Sequence, residues 1–389
     1  MQFNLVFDQF ENNYPYPNLA QHVDTSSSDQ ALWSIYPYVV QSRLLKFCQT
    51  HRFPVKFWST NKDFPPHSWY IVAFAYYHFD IDYFDLLPNQ VKTLLQNQKI
   101  KLLFYYHEGD NPYRIQQDLL AKCVGNQFDA HCWQLVSANS AATTHFNDHE
   151  LFYWQANARH PALTWHSQPR DKEFTALNRV HKWWRATAMV DLYRAGVLAN
   201  SYWSYGGVDN NDQFDDNPIE IDSVDGLRQQ VCDFLEHIPY VCDALTLDDQ
   251  NRHGTLVPEH FSNSYLHVVL ETFFDADQSG GSFLTEKTFK PIKHAQPFVL
   301  VAPAGSLQLL RDLGYRTFDA VIDPSYDAIV NNTQRWQCIR ELLLQIQTQG
   351  VETISRACAE DVIHNQQHFL STKFDRIHQL YKNLHEPSQ

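Results

Sequence analysis

The 389-residue sequence contains no Cys-x-x-Cys pair, and its seven cysteines are odd in number and widely scattered. That spacing argues against a disulfide framework or a structural zinc site, and it suits a reducing compartment, so a cytoplasmic location is expected. No stretch approaches the ~18 consecutive apolar residues of a membrane span. The first residues, Met1 to Asp8, lack a basic segment and a long apolar core, which predicts neither a signal peptide nor a transmembrane segment. Positive charge is also scarce: 30 Lys and Arg against 44 Asp and Glu leave a formal charge of −14. A general nucleic-acid binder needs a basic surface, so nucleic acid is not an expected partner. A small phosphorylated ligand needs only a local cluster of cations. Among the 20 histidines no His-x-x-x-His or His-Glu-x-x-His pattern stands out, and no metal site is expected.

What is present is ample apolar and aromatic material, 44% and 14% of the residues, enough for two domains with separate cores. In the first half, apolar runs at 3–7, 54–58, 69–75, 101–106, 133–137 and 150–154 read as strands. Helical spacing predicts helices at 29–51, 88–98 and 113–122. Strands alternating with helices of this length predict a parallel sheet. Residues 157–169, with two prolines and little periodicity, read as a linker.

The second half repeats the alternation. Residues 172–177 read as a strand, 178–185 as a turn into a helix that ends at Gly196, 201–207 as a strand and 225–236 as a helix. The apolar run 267–272 is followed by Leu284-Thr-Glu-Lys287, a short basic helix, a second buried strand ending near Val301, and a Gly305-Ser306 turn opening another helix. Pro291 predicts that the basic helix is kinked or starts late. Further on come a short strand at 320–322 and helices at 333–348, 353–370 and 372–384. In βαβ units the strand ends and helix N-termini share one edge, where free N–H groups favour an anion. Between Glu286 and Asp312 there is no acid, while Lys287, Lys290, Lys293 and Arg311 are present. A second acid-free stretch, between Glu173 and Asp191, carries Arg179, Lys182 and Arg185 after Asn178 at a strand-to-helix junction. Guanidinium groups suit a diphosphate because they bind its oxygens as a fork and stay charged.

The Thr285-Glu286-Lys287 motif, following a strand that ends at Glu271, resembles the donor-binding motif of the GT-B glycosyltransferases related to α1,3-fucosyltransferases. The stretch from Asn178 and Arg179 to Arg185 is similar to the start of the donor domain in the same group. The resemblance covers about residues 172–325, and the insert at 273–281 departs from the family's spacing. It implies an α/β GT-B fold, two Rossmann-like domains facing across a cleft. An acceptor-side α/β domain is expected over residues 1–165 and a nucleotide-sugar-binding α/β domain over 166–360. C-terminal helices at 361–389 could cross back onto the first domain. The resemblance also implies inverting transfer of a sugar from a nucleoside diphosphate, GDP favoured, to an acceptor hydroxyl. The expected donor-binding residues are Asn178, Arg179, Lys182, Arg185, Glu271, Thr285, Glu286 and Lys287. No cofactor or metal is expected beyond the nucleotide sugar, and a glycan, a lipid-linked sugar or a protein side chain would be the acceptor.

Transfer to a hydroxyl needs a group that takes its proton. Glu108, Asp110 and His107, around Gly109 and directly after the apolar run 101–106, are the first candidates; the stretch 76–82, with its two aspartates, is the runner-up. Two other functions compete. Asp275 and Asp277 could hold Mg²⁺ or Mn²⁺ as an Asp-x-Asp motif in a metal-dependent GT-A transferase. Alternatively, the 10 tryptophans and 20 tyrosines could stack on sugars in a non-catalytic carbohydrate-binding protein.

Overall fold

The computed structural model describes residues 4–8, 55–58, 68–74, 89–98, 100–106, 109, 111–142, 144–147, 150, 161–208, 217–219, 226–240, 242 and 256–371. Two compact units emerge, one within residues 1–148 and one spanning His149–Phe374.

The first unit holds a six-stranded sheet made of β1 (Asn4–Asp8), β2 (Val55–Trp58), β3 (Ser68–Phe74), β4 (Ile100–Tyr106), β5 (Trp133–Ser137) and β6 (Thr144–His145), in the order β2-β1-β3-β4-β5-β6. Every neighbouring pair is parallel. The crossovers include α1 (Asn89–Gln96) and α2 (Pro112–Gly125). In α2, Ile115, Leu119 and Cys123 recur every four residues and are buried, the stripe that seats a helix on a sheet. Its start is fixed by Asn111, whose side chain accepts from Tyr113 N at 3.0 Å, with Pro112 in the first turn. The expected last strand at 150–154 begins at a residue that is helical, Glu150, while residues 151–154 lie outside the described residues, and the last described strand of the sheet is the two-residue β6. The helix expected at 29–51 lies outside the described residues.

The second unit is an α/β layer with a four-stranded, all-parallel, Rossmann-like sheet flanked by helices. Its strands are β7 (Lys172–Val180), β8 (Ser201–Val208), β9 (Ser264–Leu270) and β10 (Phe298–Val301), in the order β10-β9-β7-β8. Strand order reverses between β7 and β9, the position at which such sheets open a crevice at their C-terminal edge. β9 and β10 are buried almost throughout, as continuous Val- and Leu-rich runs covered on both faces must be. The helices are α3 (Trp183–Arg194), α4 (Leu227–Glu236), α5 (Pro258–Ser262), α6 (Ala276–Ser279), α7 (Glu286–Lys293), α8 (Ser306–Asp312), α9 (Asn332–Gln349), α10 (Val351–Ala357) and α11 (Ala359–Ser371). α3 packs on α4, α7 on α11, and α10 on β9.

Several local expectations change. β7 runs on to Val180, so Asn178 and Arg179 belong to the strand rather than to a turn, and the helix begins only at Trp183. Where β7 and β8 meet at that end, the register shifts between Asn178 and Val180. A Cβ on Gly206 would lie 2.5 Å from the Arg179 carbonyl oxygen, so the close strand approach needs glycine. α3 is not amphipathic: residues 184–192 are buried without a break. Its one acid in that run, Asp191, is satisfied by Trp336 Nε1 at 2.9 Å and Arg340 Nε at 3.1 Å, both on α9.

Pro291 neither kinks α7 out of existence nor delays it, because Thr285 caps the helix and the proline falls within it. Residues 320–322 form a turn instead of a strand, and the helix expected at 353–370 is two helices broken at Cys358. The expected linker, described from residue 161, has no regular structure, yet Leu163 and Trp165 pack against this unit's core. The helix expected at 372–384 lies outside the described residues. Among those described, no helix is long and apolar enough to cross a membrane.

Candidate functional site

The C-terminal ends of β7 and β9 carry the densest polar network of the second unit. It is built around Glu271, the residue after β9, which is completely buried. Its carboxylate accepts four hydrogen bonds. Thr285 N (2.9 Å) and Thr288 Oγ1 (2.5 Å) reach Oε1, while Thr285 Oγ1 (2.6 Å) and Thr272 N (3.1 Å) reach Oε2. All four donors are local to the strand end or the first turn of α7, so Glu271 fixes that helix N-terminus against the sheet edge. A buried carboxylate is tolerable only with such satisfaction.

Lys287 sits directly above. Its Nζ donates to Thr285 Oγ1 at 3.0 Å and Thr272 Oγ1 at 3.1 Å, and lies 3.5 Å from Glu286 Oε1 and 4.0 Å from Glu271 Oε2. The lysine side chain remains 26% exposed, whereas Glu286 is almost closed off at 7%. The ammonium is therefore the accessible end of this network.

From the β7 side, Arg185 crosses the switch point. Its Nε donates to the Glu271 carbonyl at 3.0 Å, a second guanidinium nitrogen, Nη2, donates to the same oxygen, and Nη1 donates to Val180 O at 3.2 Å. Arg185 is buried, so it ties the ends of β7 and β9 together and places a fixed positive charge beneath the edge. Lys182 is the N-cap residue of α3, in extended conformation, and its Nζ lies 5.4 Å from the centre of the Phe273 ring. Arg185, Lys287 and Lys182 thus touch three successive residues, Glu271, Thr272 and Phe273. Lys182 precedes the helix that carries Arg185, so the two reach this edge from different elements. Arg179, half-buried at the end of β7, makes no ion pair among the described residues. Asn178 is buried, and neither its amide oxygen nor its amide nitrogen has a partner.

The wider cationic region anticipated around α7 does not gather in one place. Arg311 is paired with Asp319 at 3.0 Å. Lys290 and Lys293 both have their pKa pulled down to about 8, chiefly by burial, which leaves them weaker cations than Lys287's position suggests for its neighbours. The second helix start, at Gly305-Ser306, is also occupied from within. Asp327 accepts from Leu307 N at 3.0 Å and Gln308 N at 3.1 Å, taking the amides that a phosphate would use. Burial is the main influence on that carboxyl and raises its pKa.

Arg335 is a residue that sequence patterning misses. It is the largest fully buried side chain, 4.3 Å from the Phe274 ring centre, and donates to the carbonyls of Ala302 (3.2 Å), Ile329 (2.8 Å) and Phe274. Burial lowers its pKa to about 10, so it stays charged at neutral pH. Its sole sequence trace is one arginine in the first turn of a polar-looking helix.

Asp275 caps α6 by accepting from Asp277 N at 2.9 Å. Among the described residues, these aspartates are joined by no third His, Cys, Asp or Glu in a metal-sized group. Contrary to the expectation that no His-x-x-x-His pattern is present, His364 and His368 have that spacing. Their Nε2 atoms lie 3.3 Å from Gly314 O and 2.8 Å from Leu313 O, so they finish the C-terminal end of α8. His107, Glu108 and Asp110, like the alternative stretch 76–82, lie outside the described residues. Between them, Gly109 is buried and its carbonyl accepts from Asn139 Nδ2 at 2.8 Å.

No family model matches the chain, and no curated protein or solved structure matches it.

Proposed function

We propose that the chain is a GT-B glycosyltransferase that binds a nucleoside diphosphate sugar, GDP favoured, at the edge formed by the ends of β7 and β9 and the start of α7. One observation carries this reading: Arg185, Lys287 and Lys182 meet the consecutive residues 271–273 at the strand-order switch point, where the dipole of α7 adds to their field. The resemblance of Thr285-Glu286-Lys287 to the fucosyltransferase-like donor motif supports it.

In this reaction the acceptor oxygen attacks the sugar's anomeric carbon from the face opposite the diphosphate. The bond to the diphosphate breaks, its electron pair leaves with the phosphate oxygen, and the configuration inverts. Charge builds on the departing diphosphate, and Lys287, Lys182 and Arg179 offset it, a task that pre-placed cations perform without a metal. Glu108, which follows β4 in the sequence, takes the acceptor's proton in this reading, with His107 and Asp110 beside it. The acceptor is a glycan, a lipid-linked sugar or a protein side chain.

The test is calorimetric titration of GDP and of UDP in the presence of chelator. GDP should bind the wild type, and Lys287→Ala should weaken it by roughly 1.5–3 kcal/mol, the range for a charged hydrogen bond. Thermal unfolding of the variant should stay close to that of the wild type. Failure of both nucleotides to bind the wild type, or equal affinity in the variant, defeats the proposal.

A further inference from the structure

A groove with a cavity volume of about 930 Å³ runs beside β8, the edge strand of the second sheet, between the C-terminal half of α3 and α4. That is the size of a small-ligand site. A helix that follows a parallel strand runs back from the strand's C-terminal end, so Tyr193 and Arg194, in the last turn of α3, lie toward the edge opposite Lys287. The groove is therefore separate from the switch-point site.

Its wall is aromatic. Trp203 and Tyr240 have ring centres 5.1 Å apart, and Tyr240 stacks on Phe234 at 4.9 Å with 6° between their planes. Tyr240 is held beside the edge strand by paired backbone hydrogen bonds with Tyr205, at 2.8 and 2.9 Å. Tyr193, 64% exposed, brings a further ring to 6.1 Å from Trp203. The rim, by contrast, is polar and of both signs, with Arg194 and Gln230 facing the same cavity as Asp233 and His237. Among the described residues the side chains of Arg194 and Gln230 make no hydrogen bond or ion pair.

Asp233 already accepts from Gln229 Nε2 at 2.7 Å and His237 Nδ1 lies 2.7 Å from Asp233 O, but a hydrophobic helix or a lipid chain would leave the donors of Arg194 and Gln230 unmatched, which is costly once they are covered. An anionic ligand would meet Asp233. A pyranose ring suits both parts, because its C–H faces lie on aromatic rings while its hydroxyls donate to and accept from amide, carboxylate and guanidinium groups. We propose that this groove is a binding site for a neutral oligosaccharide, remote from the switch-point edge. It does not depend on the nucleotide reading.

The experiment is calorimetric titration of maltohexaose, cellohexaose, chitohexaose and mannohexaose into the full chain and into Tyr193→Ala and Arg194→Ala. Both side chains are exposed, and circular dichroism would check that the variants fold. At least one oligosaccharide should bind the wild type with a millimolar or lower Kd and bind each variant at least tenfold more weakly, with GDP affinity unchanged. Absence of binding by all four, or undiminished binding in both variants, overturns the proposal. So does a proline-rich peptide that binds, in place of the sugars, in a manner abolished by the same substitutions, since an aromatic groove can also read an extended proline helix.

Discussion

His267 shows how much a single buried side chain can govern the response of the second unit to acid. It lies in the middle of β9, 5% exposed, with Nδ1 3.3 Å from Gln296 Oε1 and its ring stacked near Phe261. Burial pushes its pKa down from the usual 6.5 to about 3. The folded chain therefore keeps this imidazole neutral where the unfolded chain takes up a proton. The associated stability is complete above pH 6.5 and is lost as the pH falls toward 3, by about 1.4 kcal/mol per unit. Urea unfolding at pH 7 and pH 5 should show the wild type losing about 2 kcal/mol more than His267→Gln over that interval. Parallel losses in the two proteins would contradict it. At this scale the sequence was partly legible. Lys287, Thr285 and Glu271 could be picked out because they cluster around a strand end and a helix start. Arg335 and Asp327 could not, because each acts on backbone groups far away in the chain, and neither pattern nor spacing marks a residue that works across such a separation.

Among the elements, α7 depends most on the residue that caps it. Thr285 Oγ1 donates to Glu271 and accepts from Lys287 N at 3.3 Å and Lys287 Nζ at 3.0 Å, so one hydroxyl joins the helix start, the strand end and the accessible ammonium. Thr285→Ala should cost about 1.5–5 kcal/mol, the sum expected for a lost cap and a buried carboxylate short of one donor. Thr285→Ser, which keeps the hydroxyl, should lose much less. Denaturant midpoints for the two variants decide the matter, and similar losses in both would mean that the methyl group, not the hydroxyl, is what counts. The alternation of strands and helices was readable because apolar runs and helical stripes follow from backbone geometry. Element ends were less so. β7 was read as stopping at Leu177 because Asn178 and Arg179 look like turn residues, yet pairing with β8 carries the strand to Val180. The Val- and Ile-containing stretch 320–322 has strand composition and no neighbouring strand to pair with, and it turns.

For the whole molecule, the proposed chemistry divides the work between two stretches of chain. Donor affinity belongs to the second unit, and proton removal is assigned to Glu108. Glu108→Gln should then lower turnover by about 10²–10⁴ while leaving GDP affinity nearly intact, as loss of a general base does. Asp110→Asn should have a far smaller effect. Near-normal turnover in Glu108→Gln, or a large loss in Asp110→Asn, would remove Glu108 from that role. The parallel strands flanked by helices in the second unit followed from the alternating pattern along the chain, whereas strand order did not, because sequential spacing says nothing about which strand takes the centre of a sheet.

The buried arginines of the second unit have a bearing on how any anion would be held there. Arg185 and Arg335 spend their donors on carbonyl oxygens at or just beyond the strand ends: Val180, Glu271, Phe274 and Ala302. Those oxygens would otherwise line the crevice with partial negative charge. The two guanidinium groups offset that charge from below, and Arg335, with its pKa lowered to about 10 by burial, keeps its proton near neutrality. The share of the local potential set by these arginines is thereby built into the fold, while Lys290 and Lys293, whose pKa values lie at about 8, supply the part that changes as the pH rises past neutrality. A pH dependence in phosphate binding there would report the ionisation of the ligand or of Lys290 and Lys293, not of Arg335.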